Sequence, residues 1–471
     1  MLTKQGFINN FWSGPGGCGE LMKIAAPLIV STSAFTVRMF TDRLFLSNYS
    51  PNAMTGAMFA GIFHFTLISL FLGIVSYANT FVAQYTGAKQ RENIGPIIWQ
   101  AIYLSIVMGM AMMVFLPMQD IIFNAIGHDS EIKKYEIEYF STLLYVGLPL
   151  LISRAISSFY SGRGITSVVM WINIFNSILN IGLNYLLIFG KLGLPAMGVT
   201  GAALATVLSE YAALAVFAYL FFMPHNRKEF NTLHGRGLSV RLIRELMRYG
   251  LPSGLHFILD MLAFSFFLMI IGRFGAIQQL ASSMVFNVNM FAFMPMIGLG
   301  IGISILVGQY LGRNEPDIAE RSVWIAFKVC AGYMLLISVC YIFFGRMLMG
   351  LYPFSKDPEL YSKTVNIAVK LMYFLAAYSV IDAANIIFSN ALKGAGDTRF
   401  VMILSVSLHW GLMVIPSMIF AWFGFGIYSS WTFLTLFVSV LGLCFYLRFR
   451  GGLWKSMRVI ETEVIPETEL I

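Results

Sequence analysis

Three aspartates stand inside long apolar runs of this 471-residue sequence: Asp42 in VRMFTDRLF, Asp260 in GLHFILDMLAF and Asp382 in DAANIIFSNALKG. A carboxylate at the centre of a membrane helix costs about 2.5–3.5 kcal/mol, so its presence there points to use, as a ligand for a hard cation or as a proton carrier. His256 lies one turn before Asp260, on the same helix face. Asn385 and Ser389 follow Asp382 at three and seven residues, giving that helix a polar stripe. Asp42 is flanked by Arg38, four residues earlier, and by Arg43, so an ion pair explains it as well as an ion site does. If Arg38 pairs with Asp42, that carboxylate is compensated and coupling rests mainly on Asp260 and Asp382, which have no comparable cation nearby in sequence. Asn173, Asn176, Asn180 and Asn184 are spaced three, four and four, which sets four amides on one helix face turned into a bundle. Interhelical hydrogen bonding and ligation are both open to them. Arg154, Lys328, His64 and His409 are isolated, and pairing or snorkelling is expected of each.

The elements that must position these groups follow from hydropathy. The chain is 58% hydrophobic and 11% charged, with mean hydropathy +0.75; soluble domains carry about 25% charged residues. Twelve apolar runs, near residues 21–46, 55–85, 94–117, 138–160, 167–189, 199–222, 244–271, 279–310, 320–344, 364–391, 400–422 and 427–447, are each about long enough to cross a bilayer. They must be helical, because hydrocarbon offers no partner to a free backbone group. The net charge of +8 does not indicate nucleic acid, because the basic residues fall in short loops. Nineteen of the 31 Lys and Arg lie in the tails and loops of one side and eight on the other, which makes both termini and the 223–243 linker cytoplasmic. The N-terminal residues lack the apolar core and cleavage site of a signal peptide. Four scattered cysteines support neither a disulfide framework nor a metal site. Walker, HExxH and GxSxG patterns do not occur, so an enzyme is not expected.

The chain also repeats itself. ELMKIAAP (20–27) matches ELMRYGLP (245–252), and VAQYTG (82–87) matches VGQYLG (307–312), both at an offset of 225. GRGITSVVM (162–170) matches GAGDTRFVM (394–402) at 232. The expected fold is therefore all-α and integral to the membrane, with twelve transmembrane helices in two pseudo-symmetric six-helix bundles. The expected domains are 1–222 and 244–447, joined by the linker and followed by a cytoplasmic tail at 448–471. An even number of helices per copy makes the repeat parallel, about an axis along the membrane normal, with a cavity between the bundles. The repeat mates of Asp42, Asp260 and Asp382 are Phe267, Phe35 and Leu150, so each half builds its fold without a carboxylate there.

Over nearly its whole length the sequence resembles the multidrug and toxic compound extrusion family. The carriers are NIGLNYLLIFG (180–190), GLPAMGVTGAALAT (193–206) and ALKGAGDT (391–398). The resemblance implies a secondary active antiporter of the plasma (inner) membrane that expels organic, often cationic and amphipathic, compounds in exchange for Na⁺ or H⁺. It implies cation-coupling roles for Asp42, Asn180, Asn184, Asp260 and Asp382, with Na⁺ held by Asp260 and Asp382 if sodium is the coupling ion. His256, Asn385, Arg38 and Asn176 would line or support the substrate cavity. Some members carry Asp where this chain has Asn184, which leaves the first-half set one charge short. Small organic substrates and the bilayer are the expected partners, with no cofactor beyond the coupling ion, no nucleic acid and a monomeric state. Two other classes stay open: a flippase for lipid-linked saccharides, which would need several basic cavity residues, and an intramembrane enzyme built on His256 and Asp260.

Overall fold

The computed structural model describes residues 11–350 and 358–460. Residues 1–10 of the expected first bundle and 461–471 of the expected tail lie outside the described residues. Among the described residues, twelve helices long and apolar enough to span a membrane run in chain order: α1 (Cys18–Tyr49), α2 (Pro51–Gly87), α3 (Arg91–Phe115), α4 (Ser130–Gly162), α5 (Thr166–Phe189), α6 (Gly198–Phe221), α7 (Val240–Gly272), α8 (Ala276–Gly312), α9 (Pro316–Gly350), α10 (Glu359–Ala395), α11 (Thr398–Trp422) and α12 (Ile427–Arg450). Their ends are chemically marked. Ser50 alone separates α1 from α2, and its hydroxyl accepts from the Ala53 N–H just beyond Pro51. Ser239 caps α7 through the Leu242 N–H.

Two bounds differ from expectation with consequences. The linker is not bare loop, because Pro224–Glu229 and His234–Arg236 are short helices, and α7 starts at Val240. Helix α10 runs through Ala395, so Lys393 belongs to a spanning helix rather than to the loop after it. Neither segment interrupts the apolar pattern sharply enough for hydropathy to place the boundary.

Buried apolar side chains gather into two large cores. One draws on α2 to α6 with Leu246 of α7, and the other on α7 to α12 with Leu21, Ile24, Ala25 and Leu28 of α1 and Ala83 of α2. The halves touch from mid-span to the end that carries the linker. Thr32 Oγ1 donates to the Met294 carbonyl, Phe65 packs edge-on against Phe257, and Gly73 abuts Gly254.

At the linker end the repeated motifs close the contact. Gln84 Nε2 donates to the Gly394 carbonyl at 3.2 Å, and Gln309 Nε2 donates to the Gly162 carbonyl at 2.9 Å. Gln84 and Gln309 are repeat mates, as are Gly162 and Gly394, so each half sends the same amide into the same carbonyl of the other. Buried amides need such partners. The backbone between them is close: a Cβ on Gly87 would overlap the Gln309 carbonyl oxygen, and one on Gly312 the Gln84 carbonyl oxygen.

Beyond α12 the described part of the expected tail packs back against the fold. Trp454 is buried and stacks on Phe449 with ring centres 4.8 Å apart. Lys455 reaches Asp317 and Glu320 on α9, and these two carboxylates hold its ammonium above the ordinary lysine value. Val459 donates its N–H to Gln84 Oε1 at 2.8 Å, while its side chain and that of Ile460 enter the first-half core. The segment thus ties the second half to the first, across the same seal.

Candidate functional site

In the first half, α5 lays its asparagine face between α1 and α6. Asn173 donates to Ser31 on α1 at 2.6 Å, and Asn176 to Glu210 Oε1 on α6 at 2.8 Å. Asn180 donates to Thr206 and Ser209 at 3.3 and 3.4 Å. Asn184 Nδ2 donates to Asp42 Oδ1 and to Asn180 Oδ1, the latter at 3.0 Å. Asn180 and Asn184 are fully buried, and Asn184 Oδ1 has no hydrogen-bond partner. Asp42, Asn180 and Asn184 therefore come together, with Asn184 Nδ2 between the oxygens of Asp42 and Asn180.

Of the two readings open for Asp42, the ion pair with Arg38 does not form. Arg38 Nη1 lies 3.2 Å from Glu210 Oε1, and both residues are buried. Asp42 stays within the electrostatic reach of Arg38 but takes its hydrogen bond from Asn184. The reason is the packing of α6 against the first bundle, which puts a second carboxylate nearer to the guanidinium than the one a turn away on its own helix. Glu210 was missed, although a lone carboxylate in TVLSEYAAL meets the same intramembrane criterion as the three aspartates.

In the second half, His256 Nε2 lies 3.1 Å from Asp260 Oδ2, as their spacing on α7 requires. His409 Nδ1 comes from α11 to 3.1 Å from Oδ1, but it also lies 3.0 Å from the Ser405 carbonyl. The contact with the carboxylate lacks hydrogen-bond geometry, so Oδ1 is close to the ring yet without a hydrogen bond. His409 opens a π-helical stretch, His409–Val414, the kind of helix irregularity that often marks functional sites. Lys393 Nζ from α10 lies 3.3 Å from His256 Nδ1. Asp260 thus has two imidazoles and an ammonium around it, contrary to the expectation drawn from its own helix. Their distance in sequence, 137 residues from His256 to Lys393, hides them from any local reading.

Asp382 is buried elsewhere on α10, where Asn385 donates to its Oδ1 at 3.1 Å. Ser389 instead bonds the Ile386 carbonyl of its own helix. Asp260 and Asp382 share no partner in the structure. Among the described residues no group of three or more His, Cys, Asp and Glu side chains is placed to hold a metal ion; a Na⁺ site would have to draw on amide and backbone oxygens. Of the isolated polar residues, His64 is buried with Nε2 unpartnered rather than paired, and Arg154 is exposed on α4.

Known proteins agree with this architecture. The MatE family pattern matches residues 27–186 and 252–419, one stretch in each half. The chain is 27% identical over 463 residues to a probable multidrug resistance protein NorM of Thermotoga maritima, with 95% of each chain covered. It is 24% identical over 441 residues to the corresponding protein of Shewanella oneidensis, covering 92% of this chain and 94% of that one. Its fold is similar to that of a multidrug resistance MATE family transporter of the MOP superfamily in an outward-facing conformation. That match has a TM-score of 0.86 at 20% identity and covers 97% of this chain and all of the other. A MOP superfamily transporter from Pyrococcus furiosus aligns with the same score and coverage. Twelve spanning helices, an internal repeat and a family match in each half lead to one conclusion: this chain is a multi-pass membrane protein of the MatE family, whose members are multidrug efflux transporters and not enzymes.

Proposed function

We propose that this transporter is an antiporter of the plasma (inner) membrane, working as a monomer without a cofactor, that exports organic, amphipathic and often cationic compounds in exchange for Na⁺ or H⁺. The description of its relatives as multidrug resistance proteins supports the substrate class. The linker end, with its basic residues, is the cytoplasmic side, and the seal made by Gln84 and Gln309 closes that side in this state. In this reading Asp42 and Asp260 lie beyond the seal, one in each half, on the side from which substrate is released.

The observation that supports the coupling role is the meeting of Asp42, Asn180 and Asn184, in which the Asn184 amide bridges the Asp42 carboxylate and the Asn180 carbonyl while its own Oδ1 stays a buried acceptor with no donor. Hard cations are held by such oxygens. Asp260, ringed by His256, His409 and Lys393, is suited to exchanging a proton, and Asp382 with Asn385 offers a further carboxylate. Ion and substrate need only prefer different states of the two bundles for one to drive the other.

The test is dye efflux from proteoliposomes under separately imposed Na⁺ and H⁺ gradients. Asp42→Asn should lower gradient-driven efflux at least about tenfold, the effect of about 1.4 kcal/mol in coupling, while its thermal midpoint stays near wild type. Gradient-driven efflux that survives in folded Asp42→Asn protein would remove the first-half site from the mechanism. Sidedness has its own check. An Arg236→Cys variant should resist an impermeant thiol reagent added outside intact cells, and ready labelling above the background of native cysteines would reverse the orientation.

A further inference from the structure

Arg154 is a cation inside a spanning helix that takes no ion pair and no side-chain hydrogen bond among the described residues, and it is exposed. Its exposure is not on the outside of the bundle. Tyr145, which is exposed, lies nine residues earlier, half a turn away on the opposite face of α4. Of the neighbours of Arg154 on its own face, Leu151, Ser157 and Ser158 are buried and Leu150 is half-buried. Its guanidinium shares the electrostatic field of Glu210 and Arg38, both buried in the first-half wall. A side chain that is open while its surroundings are buried points into the space between helices.

The charges there do not balance. Glu210 Oε1 already accepts from Arg38 and Asn176, and Asp42 takes its hydrogen bond from Asn184, so neither carboxylate pairs with Arg154. An unpaired charge at this depth is costly, and such residues are functional by default. Guanidinium is planar, permanently charged and shaped to bind a carboxylate or phosphate through two parallel hydrogen bonds.

We propose that Arg154 is an anion subsite of the transport cleft and that it recognises the carboxylate of an amphipathic substrate. This rests on the export reading above and deepens it, because it names the side chain that would hold the acidic end of a substrate. A lipid phosphate has related chemistry and is the competing occupant.

The experiment uses rhodamine 19, a zwitterion with a free carboxylate, and its ethyl ester rhodamine 6G, a cation. Both are titrated by fluorescence anisotropy onto the purified full chain in a neutral detergent. Arg154→Gln should shift the ratio of the two affinities about tenfold against rhodamine 19, the scale of one lost charge-assisted hydrogen-bond pair. Arg154→Lys should shift it by less. An unchanged ratio in folded variants would overturn the proposal. On wild-type protein, which needs no variant to fold, rhodamine 19 binding should weaken more steeply with added KCl than binding of the ester; equal slopes would also overturn it. Added phosphatidylglycerol should leave the ratio unchanged, and its loss on addition would assign the subsite to lipid. Binding of neither dye would sink the export reading itself, whereas binding of both without discrimination sinks this inference alone.

Discussion

Glu210→Ala should destabilise the protein by about 3–5 kcal/mol, because it leaves the Arg38 guanidinium buried without its partner. Arg38 and Glu210 lie 3.2 Å apart, with exposures of 8% and 5%, so water cannot replace the lost carboxylate. Asn176 also loses its acceptor at 2.8 Å. Removing both charges at once, in Arg38→Met with Glu210→Leu, should recover most of the loss, since apolar residues of similar volume commonly match a buried pair. Thermal unfolding in detergent, read for both single variants and the pair, gives the coupling. A cost for Glu210→Ala within about 0.5 kcal/mol of zero, the range of ordinary surface changes, would mean that the pair is hydrated and weak.

The second large effect is expected at the seal. Gly312 and Gly87 are repeat mates, and a side chain on either would run into a backbone carbonyl of the opposite half, Gln84 or Gln309 respectively. A carbonyl held in a helix cannot swing aside as the tip of a flexible side chain can. Gly312→Val should therefore hold the cytoplasmic ends apart, at a cost of about 1–3 kcal/mol or more. That penalty falls on the sealed state alone, so it shifts the balance between states by roughly tenfold for each 1.4 kcal/mol. Export should fall accordingly, while the chain stays folded. Gly332→Ala is the control, because nothing stands within 4 Å of its added Cβ. Wild-type export by Gly312→Val would show that these backbones separate in the working cycle without needing to meet.

Much of this was readable before any coordinates. Twelve helices follow from hydropathy because a backbone in hydrocarbon must bond to itself, a demand that each segment meets locally. The repeat is visible because VAQYTG and VGQYLG keep their letters, and the intramembrane aspartates stand out because the cost of a carboxylate there is set by the run around it. Asn180 and Asn184 could be assigned one face from their spacing alone. Partnership is another matter. Arg38 is one turn from Asp42, yet the packing of α6 brings Glu210, 172 residues away in sequence, to its guanidinium instead. Asp260 has only His256 beside it on α7, and α10 and α11 bring Lys393 and His409 to it. The letters of the repeat could not say that Gln84 and Gln309 each cross into the other half. A long side chain chooses among groups within a few ångströms, and which groups those are is decided by how helices distant in sequence pack.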